Sequence, residues 1–393
     1  MFSFRSSSFQ RPLPFAVAVV ALALAARALP SADEALPLAN FLERLQSALS
    51  RSDASSQAPT TLHARVTAES RSGVRRLRIR DFQFISDSDR SFAGYSLGAG
   101  SWDTEVGVLG SAVATEFLFQ AASAGIALDA IDVVFTSHQD HSPRPAGQVS
   151  YPRNLQYTAY IVSPAGDAEL ESLRAKVEAT SPVLHLVTAR QDIAHGTVMH
   201  TPSPAAAEPD APPGLRDFLV EKRAAILRRE TRRTGRAAPP APLRAHVRVE
   251  GGTGLRHVRT GEARFQFLHD NPRSQAGFDL GPTVEEHQLG VMATCLTHIF
   301  EIQAAQRQLV LDALEVRVEG TLTPRLTSSP PRLTNVRYRV HISSPASAEA
   351  IDELRKAVEA VCPIYNLLKE PQTIAGRLVR QRFGATPSTA SAP

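Results

Sequence analysis

Two cysteines, Cys295 and Cys362, are the only thiols in this 393-residue chain. A thiol pair has three uses: two small side chains packed in a core, a structural disulfide, or a redox couple in which one sulfur is oxidised and the other resolves it. Cys295 lies in the apolar run Gly290-Val291-Met292-Ala293-Thr294-Cys295-Leu296, whose spacing predicts a helix with Met292, His298 and Ile299 beside the sulfur. An apolar setting raises a thiol pKa and makes it inert unless a cation or donor is brought to it. Cys362 precedes Pro363 at the end of an amphipathic stretch, and proline favours the first turn of a helix, so Cys362 is expected as an N-cap. A helix N-terminus favours the thiolate. His138, His141, His298 and His341 are scattered and make no short-range ligand pattern with either cysteine, so neither zinc nor a cofactor is expected.

The elements that must position these thiols are written twice. Residues 82–130 lie over 265–313 without a gap, at an offset of 183. Phe82-Gln83-Phe84 returns as Phe265-Gln266-Phe267, Gln120-Ala121-Ala122 as Gln303-Ala304-Ala305, and Leu128-Asp129-Ala130 as Leu311-Asp312-Ala313. Further on the offset is 181: Ser163-Pro164-Ala165 matches Ser344-Pro345-Ala346, and Val177-Glu178-Ala179 matches Val358-Glu359-Ala360. In copy one, Ala112 and Ser181 stand where copy two has Cys295 and Cys362. One working site and one scaffold are expected. The period is far longer than that of a solenoid, so this is a tandem pair of domains.

Each copy reads as a leading helix, strand-like segments, a glycine-containing loop, a long apolar helix, two more strands and a closing helix. Strands and helices do not alternate strictly, which favours α+β over a doubly wound parallel sheet. The expected organisation is a targeting segment at 1–32, a degenerate domain at 36–197, a Pro/Ala-rich linker at 198–213, a thiol-bearing domain at 214–384 and a disordered tail at 385–393. Residues 1–32 hold no acidic residue, and Arg5 and Arg11 precede the apolar run Phe15–Ala26. That is the layout of a secretory signal peptide and predicts export; an organellar presequence and a retained membrane anchor are the alternatives. The formal net charge is only +4, and Arg76, Arg78 and Arg80 alternate with apolar residues like the solvated face of a strand. No nucleic-acid-binding motif accompanies the charge, so no nucleic-acid partner is expected.

The second copy resembles the OsmC/Ohr family of thiol peroxidases. The resemblance rests on Asp270-Asn271-Pro272, Gly281-Pro282-Thr283-Val284-Glu285-Glu286, Ala293-Thr294-Cys295 and Cys362-Pro363-Ile364-Tyr365-Asn366-Leu367-Leu368, and spans roughly 215–383. Copy one resembles the family through its match to copy two. The resemblance implies two OsmC-like domains forming an intramolecular pseudodimer with long buried central helices. It further implies reduction of organic hydroperoxides, with Cys295 peroxidatic, Cys362 resolving, Glu285 activating, with Glu286 as the adjacent alternative, and a lipoyl-type dithiol as reductant. Arg273 and its counterpart Arg90 lie in the loop from which an activating arginine is expected. The alternatives are a non-catalytic protein that binds an apolar small molecule at the interface, and a structural pseudodimer. Glu285 stands ten residues before Cys295, about 15 Å of helical rise. Contact between them therefore needs a bend or an interface. With antiparallel long helices, Trp102 and Asp103 of copy one would face Cys295.

Overall fold

The computed structural model describes residues 37–51, 58–139, 149–205, 212–232, 241–326 and 329–381. The expected leader and tail lie outside them. The first half of the chain runs α1 (Leu38–Arg51), β1 (Thr60–Ala68), β2 (Arg75–Ile79), β3 (Phe82–Ser86), α2 (Ser101–Ala124), β4 (Ala130–Gln139), β5 (Arg153–Val162), α3 (Asp167–Thr180), α4 (Pro182–Thr188) and β6 (Thr197–Pro202). The second half repeats that order as α5 (Leu215–Arg232), β7 (Ala241–Val249), β8 (Arg256–Thr260), β9 (Phe265–His269), α6 (Val284–Arg307), β10 (Ala313–Leu322), β11 (Leu333–Ser344), α7 (Ala348–Val361), α8 (Pro363–Lys369) and β12 (Ile374–Arg380). The class is α+β.

The strands interleave. One six-stranded sheet has the order β3-β2-β1-β10-β11-β6, the other β9-β8-β7-β4-β5-β12. Each sheet takes three strands from one half, two from the other, and a closing strand from the first. At the seams, β1 pairs antiparallel with β10 over Thr60–Thr67, and β7 pairs antiparallel with β4. The halves are therefore not two globules side by side, and Leu36–Pro393 forms one unit. The closing strands β6 and β12 are not foreseen from the sequence. Thr197–Pro202 runs from the end of the expected first domain into the segment expected as linker and pairs in parallel with β11.

Helix α6 packs on β1, β2 and β10 of the first sheet, α2 packs on β4, β7 and β8 of the second, and the two helices pack on each other. This pairing explains their composition. Residues Glu105–Phe119 of α2 are buried without interruption, as are Glu286–Thr297 of α6. A helix covered on several faces has no polar stripe to show. Close approach is secured at Gly107 and Gly290, equivalent positions. A Cβ on Gly107 would lie 2.8 Å from Phe267 Cζ, and one on Gly290 would lie 2.9 Å from Leu77 Cδ2. Helix α6 starts in a capping box: the Thr283 side chain accepts from the Glu286 N–H, and the Glu286 carboxylate accepts from the Thr283 N–H. Between the two helices, Gln288 Nε2 donates to Glu105 Oε2 at 2.9 Å, joining two positions related by the sequence repeat.

Candidate active site

Helix α6 delivers Cys295 from its buried middle, and the α7–α8 junction delivers Cys362 as both C-cap and N-cap. The two sulfurs lie 3.5 Å apart, with the Cys362 thiol directed at Cys295 Sγ. Both are free and buried. A disulfide needs about 2.05 Å, so these are two thiols in contact, brought together across 67 residues of chain.

Cys362 is the N-cap expected from the Cys-Pro pair, but its expected thiolate character is reversed. Burial pushes its pKa well above the usual thiol value, and the neighbouring Cys295 raises it further. The N–H groups of Tyr365 and Ile364 act on the sulfur in the opposite sense and lose. A seven-residue helix supplies too little field to offset full desolvation. Cys362 is thus held as a thiol, able to donate to Cys295. Asn366 fixes the junction by donating Nδ2 to the carbonyls of Glu359 and Cys362, both at 2.8 Å. The Tyr365 hydroxyl is buried and, among the described residues, has no hydrogen-bond partner.

The matching place in copy one shows what is scaffold. Ser181 caps α4 by accepting from Leu184 N–H, and Ala112 is buried in the middle of α2. The Tyr338–Glu359–Arg355 cluster beside the thiols recurs as Tyr157–Glu178–Arg174. Those bonds belong to the fold; what sets copy two apart here is the thiol pair, with Tyr365 and Asn366 where copy one has Leu184 and His185.

The charged groups around Glu285 are not those of the thiols. Burial raises the Glu285 pKa; the Arg325 guanidinium lowers it and the Glu116 carboxylate raises it. Glu116 belongs to α2, one turn beyond Ala112. Arg325 clasps it with two bonds of 2.7 and 2.8 Å, and Thr180 and Gln120 each donate at 2.7 Å. Burial works to raise the Glu116 pKa, but Arg325 holds it below the usual carboxylate value. The acid and guanidinium therefore gather beside Ala112 and Ser181, while the sulfurs lie on α6 and at the α7–α8 junction. Antiparallel packing of α2 and α6 produces this exchange. Glu286, the neighbouring candidate, is spent on the capping box and on Arg80, whose Nε lies 2.8 Å from its carboxylate. Asp103 is raised by burial and lies among Arg264 and Glu262 at the β8–β9 turn.

Arg90 and Arg273 are exposed on short 3-10 turns. Among the described residues the most deeply buried arginines are Arg75 and Arg256, which the sequence reading passes over. Their signal was present: each has the strand parity of the apolar residues after it, Leu77 and Ile79 or Val258, and so points inward. Arg75 reaches Glu301 Oε2 at 3.3 Å and His298 Nδ1 at 3.2 Å, and Lys222 Nζ meets the same Glu301 oxygen at 2.6 Å. Arg76 and Arg78 are exposed, as alternation predicts.

Residues 277–375 match the family described as OsmC-like protein. The second half of the chain carries an OsmC-like domain. Its matched span holds both cysteines. Among solved structures, an organic hydroperoxide resistance protein OsmC from Legionella pneumophila aligns at 18% identity and TM-score 0.26, covering 32% of this chain and 89% of that one. An OsmC-like protein from Mycoplasma pneumoniae aligns at 20% and 0.27, covering 33% and 90%. The organic hydroperoxide resistance protein OhrB of Bacillus subtilis aligns at 17% and 0.25, covering 32% and 90%. No curated protein matches the chain.

Proposed function

We propose that this protein is a thiol-dependent reductase of organic hydroperoxides, built as an intramolecular pseudodimer with one thiol pair per chain. The observation that carries the reading is the 3.5 Å contact between Cys295 and Cys362 inside the OsmC-like domain. Cys295, as thiolate, attacks the terminal peroxide oxygen; the O–O bond breaks, the alkoxide takes a proton and leaves as alcohol, and Cys295 becomes a sulfenic acid. The Cys362 sulfur then attacks that sulfur, water leaves, and a disulfide forms after an approach of about 1.5 Å. A dithiol of the lipoyl type restores both thiols by exchange and is itself oxidised. Glu285 stands outside this sequence of steps, since its charged neighbours are Arg325, Glu116 and Arg256. That placement favours a second reading, an OsmC-like protein that binds an apolar molecule without turning it over.

Copy one supplies the clean variants, because it already carries alanine and serine at these two places. Cys295→Ala and Cys362→Ser are assayed with cumene hydroperoxide and a dithiol. The first should lose turnover, and the second should stop after one equivalent with a sulfenic acid that a cyclic diketone traps. Peroxide consumption by Cys295→Ala at the parent rate would end the peroxidase reading, and no consumption by the parent protein would favour the binder.

A further inference from the structure

The outward face of the first sheet carries an arrangement that the thiol chemistry does not use. Cross-strand register places Arg78 opposite Arg65, Arg65 opposite Arg317, and Arg317 opposite Arg339. Four guanidinium side chains thus run in one row across β2, β1, β10 and β11, about 14 Å long at the usual spacing of strands. All four are on the solvent side of strands whose alternate residues are buried. Arg76 and Arg337 flank the row, against Glu315 and Glu319. Glu315 serves Arg317 at 2.6 Å and Arg65 at 3.9 Å, and Glu319 pairs with Arg337. Among the described residues, Arg78 and Arg339 have no ion-pair partner. Like charges directly opposite on adjacent strands destabilise a sheet, so this row costs the fold and asks for an external anion.

The adjacent row decides which anion. It reads Ile85, Arg76, Thr67, Glu315, His341 and Met199 across the same sheet. Its ends are apolar and exposed: Ile85 at 53% and Met199 at 47%, with Leu97 at 61% beside Ile85 and Tyr95 at 56% in the same loop. No Phe, Tyr or Trp stands among the outward strand residues of this face, so it offers no platform on which bases could stack. A basic centre with an apolar rim that includes a tyrosine matches the boundary between anionic headgroups and acyl chains. The equivalent row of the second sheet is Arg259, His246, Val134, Thr158 and Arg377, with guanidiniums only at its ends. We propose that the outward face of the first sheet docks this protein on an anionic phospholipid surface, the arginine row meeting headgroup phosphates.

The test is cosedimentation of the full chain with vesicles of phosphatidylcholine alone or mixed with phosphatidylglycerol, at low and high salt. Binding to the anionic vesicles should weaken with salt, and the double substitution Arg78→Glu/Arg339→Glu should weaken it at least tenfold. The matching pair Arg259→Glu/Arg377→Glu should leave it within twofold; circular dichroism reports whether each variant is folded. Binding that ignores the first pair would assign the attachment to another part of the chain, such as the apolar run Phe15–Ala26, and overturn the proposal. Equal loss from the second pair would overturn it too. Retention on heparin or duplex DNA with no binding to anionic vesicles would replace the membrane with a linear polyanion.

Discussion

Glu105 is a carboxyl that the fold holds where, among the described residues, no cation reaches it. It is fully buried in the middle of the α2–α6 contact, and its one described partner is Gln288, through a single 2.9 Å bond. Glu105 Oε1 and Gln288 Oε1 are both buried without a partner among the described residues. Burial therefore pushes the Glu105 pKa from an ordinary 4.5 up to about 7, against a small opposing pull from the Gln288 amide. A protonated Glu105 can also donate to Gln288 Oε1 and satisfy both orphan oxygens at once. The folded state then binds a proton that the unfolded chain has already released, so stability falls as pH rises from 4.5 to 7 and levels off above. Over that window the loss is about 3 kcal/mol at 1.36 kcal/mol per pH unit, a large share of the roughly 5–15 kcal/mol that holds a domain folded. Glu105→Gln removes the charge and keeps the shape, and its amide can exchange two hydrogen bonds with Gln288. The variant should match the parent near pH 4.5 and exceed it by about 3 kcal/mol at pH 8. Urea unfolding of both proteins at several pH values checks this. His269, His287 and His298, held neutral by burial, act the other way: their contribution is present above about 6.5 and is lost as pH falls. They are common to both proteins and cancel in the difference. A stability difference that stays flat between pH 4.5 and 8 would refute the argument.

Arg325→Ala should destabilise by about 3 kcal/mol or more, because it strands the buried Glu116 carboxylate; the double variant with Glu116→Gln should recover most of that loss in a denaturant titration. Ser181→Ala should cost about 1 kcal/mol by loss of the α4 cap. Cys362→Ser should cost little, since serine already caps the equivalent helix; thermal melts compare the two. The isolated fragment 214–384 should not be a folded monomer, because β7 and β10 would lose their pairing with β4 and β1. Sedimentation velocity should find it self-associated or unfolded, and a compact monomer would contradict the interleaved sheets.

The sequence alone was sufficient for the two-fold repeat, the α+β class, the long central helices and the OsmC-like character of the second half. These are carried by local signals: identities at a constant offset, unbroken apolar runs, and the Cys-Pro signature of a helix start. It also placed Cys362 at a helix cap, since proline after a cap is a local preference. The interleaving of the sheets was not legible, because a strand pattern states which face is buried and not which strand lies alongside. For the same reason β6 and β12 went unseen: they add on at sheet edges, with only half-buried side chains to mark them. The protonation of Cys362 was decided by burial from all sides overcoming a short helix, and burial is a property of the assembled fold. So was the separation of Glu285 from the thiols. Ten residues of helix and an antiparallel neighbour set the carboxylate beside Glu116 and Arg325, where only tertiary packing could bring those three charges together.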